Sequence, residues 1–136
     1  MQWTDVVSHL RASYRVGQVT DQWIELWWRF RDGRLAIRQQ QALWIAEVNG
    51  ETYFVVASEV GVPRRARAAV CQRPRIGIGT LVEDGDRLEM QLTLPAHGLT
   101  PETLDHVLYA IAYEAVQLSM EAQAPRPADR EALRAS

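Results

Sequence analysis

His9, His97, His106 and Cys71 are the side chains of this chain best suited to proton transfer, metal ligation or nucleophilic attack near neutral pH. Their spacing serves none of these tasks. No two histidines stand as in a His-Glu-x-x-His helix, and a single cysteine makes neither a disulfide nor a cysteine-rich zinc site. Asp105, His106 and Tyr109 compose an acid–base group on paper, yet they flank the apolar stripe of a helix, where a polar helix side is the simpler reading. Cys71 has arginine neighbours that would lower its pKa, but no base is placed beside it, and it reads as a small core residue. All 15 basic residues are arginine, which excludes Schiff-base lysine chemistry and the lysine of a P-loop. Gly77-Ile78-Gly79 lacks the third glycine of a dinucleotide fingerprint and lies inside a strand pattern, where glycines suit a bulge or the close approach of a helix or another subunit. The sequence names no catalytic residue, no metal ligand and no cofactor, and the expectation is a protein that is not an enzyme.

Binding chemistry is better represented. Of 5 tryptophans in 136 residues, Trp23, Trp27 and Trp28 fall in one strand pattern. Alternation sends Trp28 with Ile24, Leu26 and Phe30 to one face, and Trp23 and Trp27 with Glu25 and Arg29 to the other. Two readings stand for the second face: its indoles are shielded by Trp44 and by arginine stems, or together with Trp44 they form an apolar surface for a partner. A second concentration, Arg64, Arg65, Arg67, Arg73 and Arg75, reads as a solvated helix face paired with Glu59 or Glu83, or as a grip for phosphate or carboxylates. A net charge of -2 and the lack of a nucleic-acid motif argue against nucleic acid.

The elements that position these residues follow from period and punctuation. Thr4 caps a first helix with Val6, Val7, Leu10 and Tyr14 at helical spacing, and Gly17 ends it. Strands follow from Trp23, then from Leu35 to Val48 with a polar middle at Gln39, Gln40 and Gln41, then from Thr52 to Val60. Asp32-Gly33 turns the first pair and Asn49-Gly50 the second. Pro63 opens a short helix that carries Ala66, Ala69 and Val70 toward the core and stops at Pro74. Ile76, Ile78, Thr80 and Val82 alternate into a fourth strand, Asp84-Gly85 turns it, and Leu88, Met90, Leu92 and Leu94 form a fifth. Thr100-Pro101-Glu102 starts a last helix with a stripe of Leu104, Val107, Leu108, Ile111, Ala115 and Leu118.

The expected fold class is α+β in the order α-β-β-β-α-β-β-α, a five-stranded antiparallel sheet with helices packed mainly on one face. With 47% hydrophobic and 24% charged residues, one domain over residues 1–122 is expected, with an Ala/Pro/Arg-rich mobile tail over 123–136. No apolar stretch is long enough to span a bilayer and no signal-peptide pattern opens the chain, so the expectation is a cytoplasmic protein that does not engage membranes.

That order, and above all the run from Ile76 to Leu118, resembles the type III secretion chaperone-like (Tir chaperone-like) fold, shared by the YbjN family of bacterial sensory transduction regulators. In that run a Gly-containing strand, an Asp-Gly turn, a strand ending Leu92-Thr93-Leu94-Pro95 and a helix opening Leu99-Thr100-Pro101-Glu102 follow one another. The resemblance covers Trp3 to Ala122; the arginine-rich middle helix and the tryptophan-rich strand have no counterpart in its pattern. It implies a protein-binding domain, chaperone-like or a regulatory adaptor, that forms a homodimer through the middle helix and second hairpin. The partner is a protein or peptide, with Trp23, Trp27, Trp44, Arg64, Arg65 and Arg67 as candidate contacts. The competing readings are a regulatory domain that binds an acidic or phosphate-bearing ligand through the Arg64–Arg75 cluster, and a small enzyme with an unannounced pocket.

Overall fold

The computed structural model describes residues 1–123. In chain order these form α1 (Trp3–Ser13), β1 (Arg15–Val19), β2 (Trp23–Asp32), β3 (Leu35–Val48) and β4 (Glu51–Glu59). A 3₁₀ turn (Arg64–Ala66) then leads into α2 (Arg67–Gln72), followed by β5 (Thr80–Asp84), β6 (Arg87–Pro95) and α3 (Pro101–Gln123). The fold is α+β, with all six strands in one antiparallel sheet ordered β1-β2-β3-β4-β6-β5. No helix among the described residues is long and apolar enough to cross a membrane.

The sheet has six strands where five were expected. The extra one is β1, which begins inside the stretch expected to be helical up to Gly17 and runs past it to Val19. Helix α1 stops at Ser13, Tyr14 is already extended, and Arg15–Val19 pairs with β2 with a bulge between Val16 and Val19. The start of α1 also differs from the expected Thr4 cap: Gln2 is the N-cap, and its N–H donates to the Asp5 carboxylate at 3.2 Å. At the other edge β5 begins only at Thr80, and Ile76 and Ile78 lie before it, exposed. In the short α2, Val70 is buried but Ala69 is exposed.

Elsewhere local chemistry and structure agree. Asn49 and Gly50 both take positive φ (53° and 79°) between β3 and β4, the conformation a tight hairpin turn demands. Thr100 caps α3, its hydroxyl accepting the Thr103 N–H at 3.2 Å, with Pro101 in the first helical position. Most of the expected tail, residues 124–136, lies outside the described residues, while Gln123 belongs to α3.

Strand alternation decides where the core sits. Ile24 and Leu26 of β2, Leu43 of β3, Phe54 and Val56 of β4, and Leu88 and Met90 of β6 share one face. On it pack Val6 and Leu10 of α1, Val70 of α2, and Leu104, Leu108, Ile111 and Ala115 of α3. Full burial of each large side chain contributes roughly 1.5–3 kcal/mol. Gln41 is buried in the middle of this face; its amide donates to Ser58 Oγ at 3.0 Å and to the Leu108 carbonyl of α3 at 2.9 Å, and accepts the Trp28 indole N–H at 2.8 Å. One side chain thus ties β2, β3, β4 and α3 together with every polar atom occupied.

Candidate functional site

Because the helices all pack on one face, the second face of the sheet carries no described element. It is built from the alternate residues of the same strands: Trp23, Glu25, Trp27, Arg29 and Arg31 on β2, Arg38, Gln40, Ala42 and Trp44 on β3, and Val55, Ala57 and Glu59 on β4. The three candidate tryptophans meet here. Trp23 and Trp44 are direct cross-strand partners, Trp44 is the partner of Val55 on its other side, and all three indoles are half-buried. Val55 and Ala57 retain only 9% and 3% of their surface although nothing lies over them. Their shielding is lateral, from the taller side chains in the neighbouring strands.

Polar contacts fix Trp27. Its indole N–H donates to Glu25 Oε1 at 2.8 Å, Gln40 donates to Glu25 Oε2 at 2.7 Å, and the Arg38 guanidinium lies over the ring, 5.0 Å from its centroid. The bulged edge strand β1 makes room for this cluster: a Cβ on Gly17 would sit 2.2 Å from Glu25 Oε1, so a side chain there displaces the carboxylate. Arginine and indole neighbours cover the rings in part, and the surface they make together is still open to solvent.

Arg64, Arg65 and Arg67 are not brought to the tryptophans. Arg64 pairs with Asp86 in the β5–β6 turn at 2.9 Å, Arg67 donates to the Asp86 carbonyl, and Arg65 is exposed. Arg73 faces Glu121 at 3.3 Å and Arg75 faces Glu114 at 3.5 Å. The acids that meet the cluster are Asp86, Glu114 and Glu121, in place of the expected Glu59 and Glu83. Asp86 comes from the β5–β6 turn, while α3 supplies Glu114 and Glu121.

Glu114 explains the Gly-x-Gly pair. Its carboxylate accepts the backbone N–H groups of Ile78 at 2.6 Å and Gly79 at 3.0 Å, together with Arg75. A Cβ on Gly77 would stand 2.5 Å from Glu114 Oε1, and one on Gly79 would stand 2.6 Å from the Met90 side chain. The glycines let the chain close around a helix side chain, an anion nest filled from within the molecule.

The residues suited to proton transfer assemble differently from their spacing. Asp105 does not face His106 or Tyr109. It accepts from Tyr14 Oη at 2.6 Å and lies 2.7 Å from His9 Nε2, so the group joins α1 to α3. Burial, then the hydrogen bond and charge of Asp105, hold the Tyr14 hydroxyl well above the usual tyrosine range. Cys71 is exposed and not a core residue; partial desolvation and the Glu83 carboxylate raise its thiol, against a lowering effect of Arg67. A raised thiol is less readily the thiolate that a nucleophile needs. No three His, Cys, Asp or Glu side chains converge as metal ligands among the described residues. A concavity of about 920 Å³ at the end of the sheet is lined by Trp3, Ile45, Thr52, Ala96 and His97.

Three arginines of the open face escaped the sequence reading, Arg15, Arg31 and Arg38: strand parity placed Arg29 on the face of Trp27, whereas Arg38 needed the β2–β3 register and Arg15 needed β1. Compared with known families, curated proteins and solved structures, the chain matches none of them.

Proposed function

We propose that this chain is a non-enzymatic binding domain, chaperone-like or a regulatory adaptor, that receives a partner protein or peptide on the open face of its sheet. One observation carries the reading: Trp23, Trp27 and Trp44 stand together on a face over which no described element packs. A solvated face of an antiparallel sheet ordinarily alternates to polar residues. This one presents Trp23 beside Trp44, which adjoins Val55, with Trp27 farther along β2, and an apolar surface of that kind marks an interaction site. Aromatic residues are also the side chains that anchor interfaces.

Assignment to the type III secretion chaperone-like fold and the YbjN family belongs to the same proposal. Its support is the succession of meander, short helix, hairpin and closing helix, to which β1 adds an edge strand. The homodimer that the family implies has a supporting feature in Ile76 and Ile78, exposed just ahead of the edge strand β5. Binding of an acidic or phosphate-bearing ligand by the Arg64–Arg75 cluster has less support, since Arg64, Arg73 and Arg75 already face carboxylates of the chain.

The test is affinity capture from an extract of the source cells with the native chain and with a Trp23→Ser/Trp27→Ser variant whose circular dichroism is unchanged. Loss of a recurring partner with the variant is the expected result. Capture of the same partner by both proteins removes this surface from consideration.

A further inference from the structure

Arg64, Arg73 and Arg75, around the loop before β5, face the chain's own acids. Arg15, Arg29, Arg31 and Arg38 are exposed on the open face, and among the described residues none of them meets a carboxylate within 4.0 Å. Arg29 and Arg38 are direct cross-strand partners. Like charges placed opposite one another destabilise a sheet, so the pair is a standing repulsion that an incoming anion relieves. The set is continuous with the tryptophans: Arg15 is the register partner of Trp27, and Arg38 lies over its ring. Farther across the strands the face changes sign at Glu59 and Glu89, themselves cross-strand partners on β4 and β6.

Building on the open-face reading of the previous subsection, we propose that the partner presents an acidic peptide segment, with Asp or Glu side chains set beside an apolar residue. Its carboxylates lie on Arg15, Arg29, Arg31 and Arg38, whose guanidinium forks match carboxylate geometry, and its apolar side chain lies on Trp23 and Trp44. Single-stranded nucleic acid also uses arginines and aromatic rings, but three features of this face oppose it. A phosphate backbone crossing the strands meets Glu25, Glu59 and Glu89. The ring of Trp27, the aromatic nearest the arginines, is covered by Arg38 and its N–H is held by Glu25. A net charge of -2 provides no long-range attraction for a polyanion. A peptide, by contrast, can place acids over the arginines and neutral or basic residues over the glutamates.

Panning a random linear peptide library over the immobilised chain at low salt tests the assignment. The expected result is a set of peptides rich in Asp and Glu whose binding falls about tenfold with Arg29→Glu, and falls again when salt rises from about 0.05 to about 0.5 M. Peptides that depend on Trp44 in a Trp44→Ser variant but carry no excess of acid overturn the acidic partner and leave the docking face standing. Peptides indifferent to Trp44→Ser, or no enrichment at all, overturn both. Single-stranded oligothymidylate that binds more tightly than the selected peptides at the same salt assigns the arginines to nucleic acid and overturns the proposal. Thermal melts establish that each variant is folded, and Arg38→Gln repeats the measurement should Arg29→Glu fail to fold.

Discussion

The two faces of this sheet are written by the same strands, residue by residue in alternation, and they have opposite characters. Phe54 and Val55 are neighbours in β4, both at or below 9% exposure, yet they are buried by different means. Phe54 is capped by helices and touches Trp3 ring to ring, at 6.0 Å between centroids. Val55 has only the indole of Trp44 and the side chain of Thr93 beside it, one on each neighbouring strand. Low exposure on the first face reports a core; on the second it reports a crowded surface. The difference teaches that burial alone does not distinguish stability from a site, whereas the element that supplies the burial does.

The largest effect that tests this contrast is in stability. Phe54→Ala should lower the unfolding free energy by about 3–5 kcal/mol, because the helices cannot close over the void, whereas Val55→Ala should cost only about 1 kcal/mol. Urea denaturation of the two variants measures both. Equal losses would mean that the second face is packed as tightly as the first and is no open surface.

How far the sequence carried depended on which residues needed partners to be understood. Period two in β2 placed Trp23 and Trp27 on the face away from Ile24 and Leu26, and Asn49-Gly50 placed the β3–β4 turn, since both signals are local to a few residues. Gln39, Gln40 and Gln41 looked alike as a polar stretch. Only the register shows Gln41 buried against α3 and Gln40 on the open face bonded to Glu25. β1 was hidden because Tyr14 continues the spacing of α1 and Gly17 reads as a helix stop, and the choice is made by pairing with β2. The arginines misled for the same reason. A run in sequence at residues 64–75 stood out, while the set that gathers on the sheet comes from three strands and is visible only once they are aligned.

The covered side is also clamped by polar groups between helices, which the open side lacks, and this gives a second, smaller test. Asp105→Asn should lower stability by about 1 kcal/mol, the half-exposed carboxylate being partly screened by water. It should also change the alkaline limb. The folded pKa of Tyr14 is raised above that of the unfolded chain, so the native state holds its proton longer. The resulting stability is present in full below the unfolded value of about 10 and is lost as pH rises through the folded value. In the native protein one tyrosine should therefore resist ionisation in an ultraviolet titration until the fold gives way, and in Asp105→Asn it should titrate earlier. Tyr53, raised by its surface hydrogen bond to Glu51, should be the same in both proteins.

The smallest effect has the opposite sign and bears most directly on the open face. If Arg29 and Arg38 face each other for the sake of a partner, the isolated chain carries their repulsion as a defect in stability. Arg29→Glu replaces that repulsion with an opposite-charge cross-strand pair and should raise the unfolding free energy by about 0.2–1 kcal/mol, more at low salt than at high. A substitution that stabilises the free domain and removes binding is the signature of a site shaped by function at the expense of stability. A variant that is less stable than the native chain would instead show that Arg29 packs along the sheet through its apolar stem, and that the basic corner is a structural part of the fold.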